Sequence, residues 1–375
     1  MLFVGGVAAQ ATPKDVKQEL SKWIDDRKTQ VLDVAQGANG AIRVTTTEET
    51  VIAHLAADKD SKIVVRRLPD RAVLADAVAG VVRVPVAAIH RAPKFSSEIV
   101  SEAVMGTPVY LLEKDGWWRI QTPEGYHGWV HRLQVKAMTQ KSFQTHFQKP
   151  QAMVTALEAE VRSESGEKPV AMLTAGSLVS VVKSGESRTL IALPDGRTGW
   201  IERKALQKLE EVYQAQTPEI MRAQIAHNAL QLTGRSYRWA GTSSVGMDCS
   251  GLVKVAWLMA GLVGPRDTDE MAALPGRLPE ETKTFEAGDL LFLGNGKSVG
   301  HVLISLGGTR FVHALGDVHV GDFDPASSEY DKWAKDTYMF AVRPEMNGKC
   351  IRPMTDLPLF AGKVVKPELC RLKIR

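Results

Sequence analysis

The chain has 375 residues, of which 44% are hydrophobic and 24% are charged, and its formal net charge is +4. This length predicts about two or three domains, each with its own core, and the composition excludes a largely disordered chain, a collagen and a coiled-coil rod. Basic and acidic residues are interleaved, so nucleic acid is not indicated as a partner. No apolar run reaches the roughly eighteen residues that a membrane-spanning helix needs.

The N-terminal segment MLFVGGVAAQA is apolar and ends in Ala9-Gln10-Ala11, which is typical of a signal-peptide cleavage site. It lacks a basic start and its apolar core is short. We therefore interpret residues 1–12 as the remnant of a signal peptide whose start lies upstream, with an N-terminal strand or frayed end as the alternative. Export to the periplasm or cell envelope is expected, and a cytoplasmic location is the alternative.

Residues 13–80 are predicted to form a small α/β domain. Apolar residues from Val16 to Leu32 recur near helical spacing with charges between them, which predicts an amphipathic helix that ends at Gly37. The segments AIRVTTT, TVIAHLAA and KIVVRRL then predict a strand, a helix and a strand. This domain carries no catalytic motif.

Two similar segments follow, at residues 81–137 and 151–209. The first contains GTPV and TPEGYHGWV, and the second contains GSLV and LPDGRTGWI at matching positions. Short alternating strands without a long helix predict, for each segment, a barrel of about five or six strands. The tryptophans are expected in the barrel cores or rims rather than as sugar platforms; they are Trp117, Trp118, Trp129 and Trp200.

Residues 218–345 are predicted to form an α+β domain. PEIMRAQIAHNALQLTG and CSGLVKVAWLMAGL predict two helices, whereas GDLLFLG, GHVLISLG and TRFVHALG predict strands. Residues 346–375 form a C-terminal extension without a recognisable motif. Whether Cys350 and Cys370 in this extension pair is left open.

Cys249 lies on the first turn of the second helix, where unpaired backbone N–H groups and the helix dipole favour a thiolate. Asp248 is the expected N-cap, and Gly251 is expected to allow close packing against the helix. A buried, inert cysteine is the alternative. His301 and His313 favour catalysis, because antiparallel pairing of their strands can place both imidazoles on one face beside the cysteine.

In this arrangement one imidazole accepts the thiol proton and later protonates the leaving amine, while the other orients the first. A zinc site built from Cys249, His301 and His313 would lack a fourth ligand in the sequence. Neither a metal nor another cofactor is therefore predicted.

The order of YRWAG, DCSG, GD, GH and a second histidine resembles the NlpC-type, papain-like cell-wall cysteine peptidases. The repeats ahead of these motifs resemble bacterial SH3-type domains, and the combination resembles the γ-D-glutamyl-L-diamino acid endopeptidases, or dipeptidyl-peptidases VI. The resemblance implies a multidomain chain with a small α/β N-terminal domain, two SH3-like β-barrels and a papain-like α+β catalytic domain. It makes Cys249 the nucleophile, His301 the base and His313 the third catalytic residue.

The resemblance also implies the reaction. It is hydrolysis of the γ-D-Glu–diamino acid bond in peptidoglycan peptides with a free N-terminal L-Ala, releasing L-Ala-D-Glu during cell-wall turnover or recycling. An endopeptidase or acyltransferase acting on intact peptidoglycan, and a catalytically inert wall-binding protein, are the alternatives. A peptidoglycan-derived peptide is the expected partner and a monomer the expected state, whereas diaminopimelate or lysine at the third position is left open.

Substrate-binding residues follow from the same resemblance. The segment PRDTD matches the family's PRDSD, so Asp267 would bind the free amine, with Thr268 in place of the usual serine. The other implied substrate contacts are Tyr126, Tyr237 and Ser250.

Two positions differ from the family pattern or between the repeats. The family's acidic residue on the first barrel aligns near Val100, where Glu98 and Glu102 share a strand face two positions to either side, and either could replace it. Arg197 takes the place of Tyr126 in the second repeat. Only the first barrel is therefore expected to face the cleft.

Overall fold

The computed structural model describes residues 11–57, 62–213 and 217–367. The predicted signal-peptide remnant lies outside the described residues except for its last two positions. Within the described residues, no helix is long and apolar enough to cross a membrane.

The N-terminal unit is a small sheet covered by short helices. Its elements are α1 (Pro13–Leu20), β1 (Leu32–Gln36), β2 (Ile42–Thr46), α2 (Glu49–Ala56), β3 (Ile63–Arg67) and α3 (Arg71–Leu74). Strands β2 and β3 are parallel because α2 crosses between them, whereas β1 pairs with β2 in the antiparallel direction. The strand, helix and strand predicted from β2 to β3 are confirmed.

The long amphipathic helix predicted for this unit is wrong beyond Leu20, where α1 ends. The side-chain oxygen of Gln30 accepts hydrogen bonds from the backbone N–H groups of Asp25 and Asp26, at 2.7 and 3.0 Å. Such side-chain bonds offer the backbone an alternative to helical hydrogen bonds. The chain turns here, and Leu32 begins a strand instead of ending a helix.

Two sheets with the same topology follow. Residues 79–138, all of them described, form β4 (Ala79–Val82), β5 (Val86–His90), β6 (Ile99–Val104), β7 (Pro108–Asp115), β8 (Trp117–Gln121), β9 (His127–His131) and β10 (Val135–Met138). After α4 (Gln140–Phe147), residues 151–208, also fully described, form β11 (Gln151–Val154), β12 (Glu158–Arg162), β13 (Pro169–Thr174), β14 (Leu178–Ser184), β15 (Arg188–Ala192), β16 (Thr198–Glu202) and β17 (Leu206–Lys208). The short helix α5 (Leu209–Val212) comes next.

The strand order is β10-β4-β7-β8-β9-β5-β6 in the first sheet and β17-β11-β14-β15-β16-β12-β13 in the second. Each sheet therefore has seven strands where we predicted five or six, because the closing strands β10 and β17 are short and lack an alternating pattern. Trp117, Trp118 and Trp129 are buried, as predicted for core or rim positions.

The matching glycines of the two repeats are contact points between domains. Gly106 and Gly176 both have positive φ, at 84° and 81°. A Cβ atom on Gly106 would lie 2.2 Å from the carbonyl oxygen of Leu178 in the second sheet. A Cβ atom on Gly176 would lie 2.2 Å from the side chain of Leu258 in the C-terminal domain. The repeated glycine thus allows each sheet to pack closely on the domain that follows it.

The C-terminal domain packs helices against an antiparallel sheet. Its elements are α6 (Pro218–Leu230), β18 (Thr242–Ser243), β19 (Gly246–Met247), α7 (Cys249–Met259), β20 (Leu262–Val263), α8 (Thr268–Ala272), β21 (Leu290–Gly294), β22 (Val299–Gly307), β23 (Arg310–Leu315), β24 (Asp317–Asp322), α9 (Lys332–Thr337), β25 (Tyr338–Val342) and β26 (Arg352–Pro353). Residues 290–342 are all described, and their sheet has the order β24-β23-β22-β21-β25. The predicted helices α6 and α7 and the predicted strands β21, β22 and β23 are confirmed, whereas β24 and β25 were not predicted.

The pleat of β21 divides the apolar core of this domain into two layers. Leu290 and Phe292 face the cluster formed with α6 and α7, whereas Leu291 and Leu293 face a second cluster on the opposite side. Both faces of the sheet are therefore covered, and the continuous apolar run of β21 follows from this double burial.

The C-terminal extension is a strap across the other domains. Strand β26 pairs with β20. Met354, Leu357 and Phe360 are buried in a cluster that joins the second sheet to the C-terminal domain. Lys366 forms an ion pair with Glu48 of the N-terminal unit at 3.0 Å. The extension therefore has a structural role that its sequence did not indicate.

A pair of glycine substitutions tests the close packing at Leu258. Gly166 also has positive φ, at 77°, but a Cβ atom there would meet nothing within 4 Å. Alanine at either position adds backbone strain, and only Gly176→Ala adds a clash with Leu258. We expect Gly176→Ala to lower the free energy of unfolding by about 1–3 kcal/mol more than Gly166→Ala, measured by urea denaturation. Equal effects would show that the domain contact tolerates an added methyl group.

Candidate active site

Cys249 is the first residue of helix α7, whose N-terminus is capped. The Asp248 carboxylate accepts hydrogen bonds from the backbone N–H of Gly251 at 2.7 Å and from that of Ala240 at 3.0 Å, so Asp248 is the N-cap, as predicted. A Cβ atom on Gly251 would lie 2.0 Å from the carbonyl oxygen of Gly241, so the close packing expected at this glycine is made by the loop before the helix and not by the element after it. The loop before the helix is thereby held against its first turn.

Arg266 contacts the N-terminus of α7 from the protein interior, and its side chain is 2% exposed. Its guanidinium donates to both carboxylate oxygens of Asp248, at 2.8 and 3.3 Å, and to the hydroxyl of Ser250 at 2.8 Å. Its Nε donates to the hydroxyl of Ser101, on the first sheet, at 3.3 Å. One buried cation therefore connects the helix start, the first sheet and the segment that leads into α8.

The two predicted histidines are brought together by β22 and β23. The His301 Nε2 atom lies 3.1 Å from Nδ1 of His313, and both rings are buried. The expected placement of both imidazoles on one sheet face is therefore observed. His301 and Cys249 lie on neighbouring elements, because α7 packs against β22.

The hydrogen-bonded chain continues beyond the predicted triad. His313 Nε2 lies 2.9 Å from Nε2 of His319, and His319 Nδ1 lies 2.9 Å from the Asp317 carboxylate. His319 was not predicted as a site residue. It lies in β24 directly opposite His313, and the six-residue spacing of the two histidines would have indicated this if the hairpin of β23 and β24 had been predicted. The missing step was the prediction of β24 itself.

This series of hydrogen bonds from Asp317 to His301 sets the tautomer of each neutral ring. The Asp317 carboxylate only accepts, so His319 donates from Nδ1 and accepts at Nε2. His313 then donates from Nε2 and accepts at Nδ1, and His301 donates from Nε2. The Nδ1 atom of His301 is left with a free lone pair, which is the state that a general base requires.

Burial favours the neutral form of both members of the resting pair. Burial raises the pKa of the Cys249 thiol, Asp248 raises it further, and hydrogen bonds from Thr268 and from the backbone of Val302 and Ser250 offset only part of this rise. Burial lowers the pKa of His301 to about 4. The expected thiolate at the helix start is therefore opposed by burial and by the N-cap carboxylate.

The segment predicted to bind the substrate amine lies beside the nucleophile. The Thr268 hydroxyl is 3.7 Å from Cys249 Sγ. Asp267 precedes it and lies 3.4 Å from Nη1 of Arg266. Tyr126 is buried at the same place: burial raises the pKa of its phenol, and the charges of Asp267 and Arg266 act on it. The first sheet therefore borders the site, as expected.

Tyr237 and Ser250 occupy different positions in this arrangement. Burial raises the pKa of Tyr237 to about 12, and its side chain packs against the core cluster that includes Cys249. The Ser250 hydroxyl donates to Asp248 at 3.2 Å and accepts from Arg266. Ser250 is therefore engaged beneath the helix start, and its substrate contact stays a prediction.

The two candidate acids of the first sheet have different partners. Glu102 is buried and accepts from the backbone N–H of Thr242 and the hydroxyl of Ser243, so it joins the first sheet to the loop before α7. Glu98 forms an ion pair with Arg91 at 2.8 Å. The hydrogen bond with Glu98 raises the pKa of Arg91, and the charges of Tyr126 and Asp267 add to this rise. Arg197 pairs instead with Asp195 within the second sheet.

The described ranges hold no set of three or more His, Cys, Asp and Glu side chains arranged to bind a metal ion. Of the cysteines within these ranges, Cys249 is free and Cys350 is not. Cys370 lies outside the described residues.

Comparison with known families matches the two parts of the chain that form this site. The NlpC/P60 family profile matches residues 234–343, and the bacterial SH3 domain profile matches residues 85–135. The predicted resemblance and the multidomain fold class are therefore confirmed. The SH3-type assignment of the second sheet stays a prediction, supported by a strand order that corresponds to that of the first sheet.

Individual relatives extend over most of the chain. Dipeptidyl-peptidase 6 of Lysinibacillus sphaericus is 30% identical over 64% of this chain and 89% of its own length. A γ-D-glutamyl-L-lysine dipeptidyl-peptidase of Bacillus cereus is 23% identical over 58% of this chain and 68% of its own. A crystal structure of an NlpC/P60 family protein from Bacillus cereus has the same fold, with a TM-score of 0.61 and 18% identity over 70% of this chain and 98% of its own.

Fold, site and relatives together define a cysteine peptidase with a bacterial SH3 domain ahead of its catalytic domain. The chain belongs to the NlpC/P60 family.

The neutral resting pair predicts how Cys249 reacts with pH. Only the thiolate is alkylated, and the raised thiol pKa keeps its fraction small at neutral pH. We expect the rate of alkylation by iodoacetamide to rise steadily with pH from 6 to beyond 9, with Cys249→Ser as the background control. A plateau of fast alkylation between about pH 4 and pH 7 would instead indicate a thiolate–imidazolium pair.

The extended hydrogen-bonded chain predicts a role for His319. In His319→Ala the His313 Nε2–H group loses its acceptor, and the orientation of His301 is less well defined. We expect kcat to fall about two- to tenfold with KM unchanged, as for one lost hydrogen bond. In His319→Gln the amide oxygen can accept in place of the ring, so much of the activity should return. Full activity in His319→Ala would show that His319 has no role in catalysis and that the hydrogen bonds needed for activity end at His313.

Proposed function

We propose that the enzyme hydrolyses the γ-D-Glu–diamino acid bond of peptidoglycan peptides with a free N-terminal L-Ala and releases L-Ala-D-Glu. The observation that carries this proposal is the contact between Cys249 and Thr268, because it places the nucleophile one residue from the carboxylate of Asp267. The name of the Bacillus cereus relative supports the same bond, and the names of both relatives support release of a dipeptide.

The first chemical step transfers the thiol proton to Nδ1 of His301 while Sγ attacks the carbonyl carbon of the γ-glutamyl bond. A tetrahedral intermediate forms, with negative charge on the former carbonyl oxygen. The backbone N–H of Cys249 is suited to bind this oxygen, since N–H groups of a first helical turn lack intrahelical acceptors and that of Gly251 is already bonded to Asp248. His313 and His319 keep the imidazolium in place through the chain described above.

The intermediate then collapses. The carbon–nitrogen bond breaks, the imidazolium of His301 donates its proton to the departing amino group, and the dipeptide remains bound to Cys249 as a thioester. Water loses a proton to His301 and attacks the thioester, the carbon–sulfur bond breaks, and Cys249 Sγ takes the proton back from His301. The products are the free dipeptide acid and the restored thiol.

Substrate selection is assigned to Asp267, which provides the anion for the α-ammonium group. Thr268 follows it in the sequence, and the Asp267 charge acts on the buried Tyr126 phenol. A charge-assisted hydrogen bond in such a partly buried place favours a charged terminus over an acylated one. This favours small free peptides over intact peptidoglycan, in which the alanine nitrogen is acylated.

The place of action is proposed more broadly. The relatives and the apolar N-terminal segment support action on cell-wall peptides at the envelope. The name of the Bacillus cereus relative makes a lysine-containing tripeptide the first substrate to test.

The test compares L-Ala-γ-D-Glu-L-Lys with its N-acetylated form, with products identified by mass spectrometry. We expect release of L-Ala-D-Glu from the free peptide, loss of activity in Cys249→Ala, and a fall in kcat/KM of roughly thirtyfold or more on acetylation, because a desolvated charge contact costs about 2–5 kcal/mol. Equal rates on both peptides would contradict the role of Asp267 and favour an endopeptidase acting on intact peptidoglycan.

A further inference from the structure

The N-terminal unit places a lysine on the carboxylate that is proposed to bind the substrate amine. The Lys28 ammonium lies 3.2 Å from Oδ2 of Asp267 and also donates to the carboxylate of Asp269. The side chains of Lys28 and Asp267 are about three-quarters buried, at 26% and 25% exposure. This contact joins domains that are distant in sequence, and no sequence motif indicates it.

The backbone around Lys28 is held firmly on the first sheet. The carbonyl of Lys28 accepts from the backbone N–H of His127 at 2.9 Å, and the carbonyl of Arg27 lies 3.0 Å from Nε2 of the same histidine. The side chain of Gln121 donates to the carbonyl of Thr29 at 2.8 Å. The position of the ammonium group is thus limited by a fixed backbone and a flexible four-carbon stem.

We infer that Lys28 is a built-in competitor of the substrate's α-ammonium group at Asp267, so that the N-terminal unit sets the affinity for free-amine peptides. This inference rests on the proposed function, since it assumes that Asp267 binds the amine. The two groups are chemically equivalent, because each is a primary ammonium ion with three donors.

The contacts of Asp267 show why the two cations compete. One carboxylate oxygen faces Arg266 and the other faces Lys28. Arg266 is buried and tied to Asp248, so it is not free to leave. An incoming α-ammonium group therefore competes with Lys28 for the oxygen that Arg266 does not face.

Asp269 provides the place to which Lys28 moves. It already accepts a hydrogen bond from Lys28, and its side chain is more exposed than that of Asp267. A shift of the ammonium group from Asp267 toward Asp269 needs only rotation about the lysine stem. The substrate thus exchanges one ion pair for another, and the net gain in binding free energy is smaller than at an unoccupied carboxylate.

Two substitutions with opposite expected effects test this exchange. Lys28→Met removes the competitor and keeps the length of the stem. Asp269→Asn removes the negative charge that draws Lys28 away, while its amide oxygen can still accept the hydrogen bond from the backbone N–H of Glu270. The matched control is Lys22→Met, since Lys22 is an exposed lysine of the same unit paired with Glu19.

Binding of L-Ala-γ-D-Glu-L-Lys is measured by calorimetry in the Cys249→Ala background. We expect Lys28→Met to lower Kd about three- to tenfold and Asp269→Asn to raise it by a similar factor, with Lys22→Met unchanged. The Kd of the tripeptide acetylated at its alanine nitrogen should not differ between these variants, because that peptide lacks the α-ammonium group that competes with Lys28. Thermal unfolding of each variant shows whether the N-terminal unit remains docked.

The possible failures are distinct. Weaker binding in both Lys28→Met and Asp269→Asn would mean that Lys28 supports the wall of the site, which overturns the inference. Cleavage of the free tripeptide by the unsubstituted enzyme, with Kd unaffected in Lys28→Met, would overturn the inference alone. No binding in any variant would overturn the proposed function together with the inference. If Lys28→Met does not fold, the Kd of Asp269→Asn still tests the inference: a higher Kd supports it, and an unchanged or lower Kd overturns it.

Discussion

The buried ion pair between Arg266 and Asp248 is the interaction on which the rest of the site depends. Asp248 caps the helix that presents Cys249, and the residue after Arg266 is Asp267, the proposed amine-binding carboxylate. A single salt bridge therefore fixes the distance between nucleophile and substrate terminus. Loss of either partner would leave a buried charge, which costs about 3–5 kcal/mol in such settings. Through Ser101, the same guanidinium also holds the first sheet against the site.

This anchoring has an electrostatic consequence for the nucleophile. The carboxylate that secures the helix start is also a negative charge next to the thiol, and it works against the helix dipole. Reactivity then depends on the base rather than on a preformed thiolate. The chain from Asp317 to His301 fulfils this need, because it leaves the acceptor nitrogen of His301 free while burial keeps that ring neutral.

The elements that carry the chemistry could be predicted from the sequence because their signals are local. The helix that starts at Cys249 and the strands of His301 and His313 each combine an apolar run with glycine boundaries. The segment before Leu32 misled the prediction, because its apolar spacing suits a helix whereas side-chain hydrogen bonds from Gln30 impose a turn. Contacts between domains left no local signal at all. The pair of Lys28 with Asp267 and the position of His319 opposite His313 depend on tertiary packing and on a strand that was not predicted.

The arrangement of the domains depends on the C-terminal extension, which is translated after them. Domains of a long chain generally fold in the order of their synthesis. Here the ion pair between Glu48 and Lys366 joins residues 318 positions apart, and Phe360 completes a core shared by two earlier domains. The separate domains can fold as they emerge, but their mutual arrangement is completed only when this late segment has been translated. A chain that lacked this segment would therefore have folded parts and an unsealed interface between them.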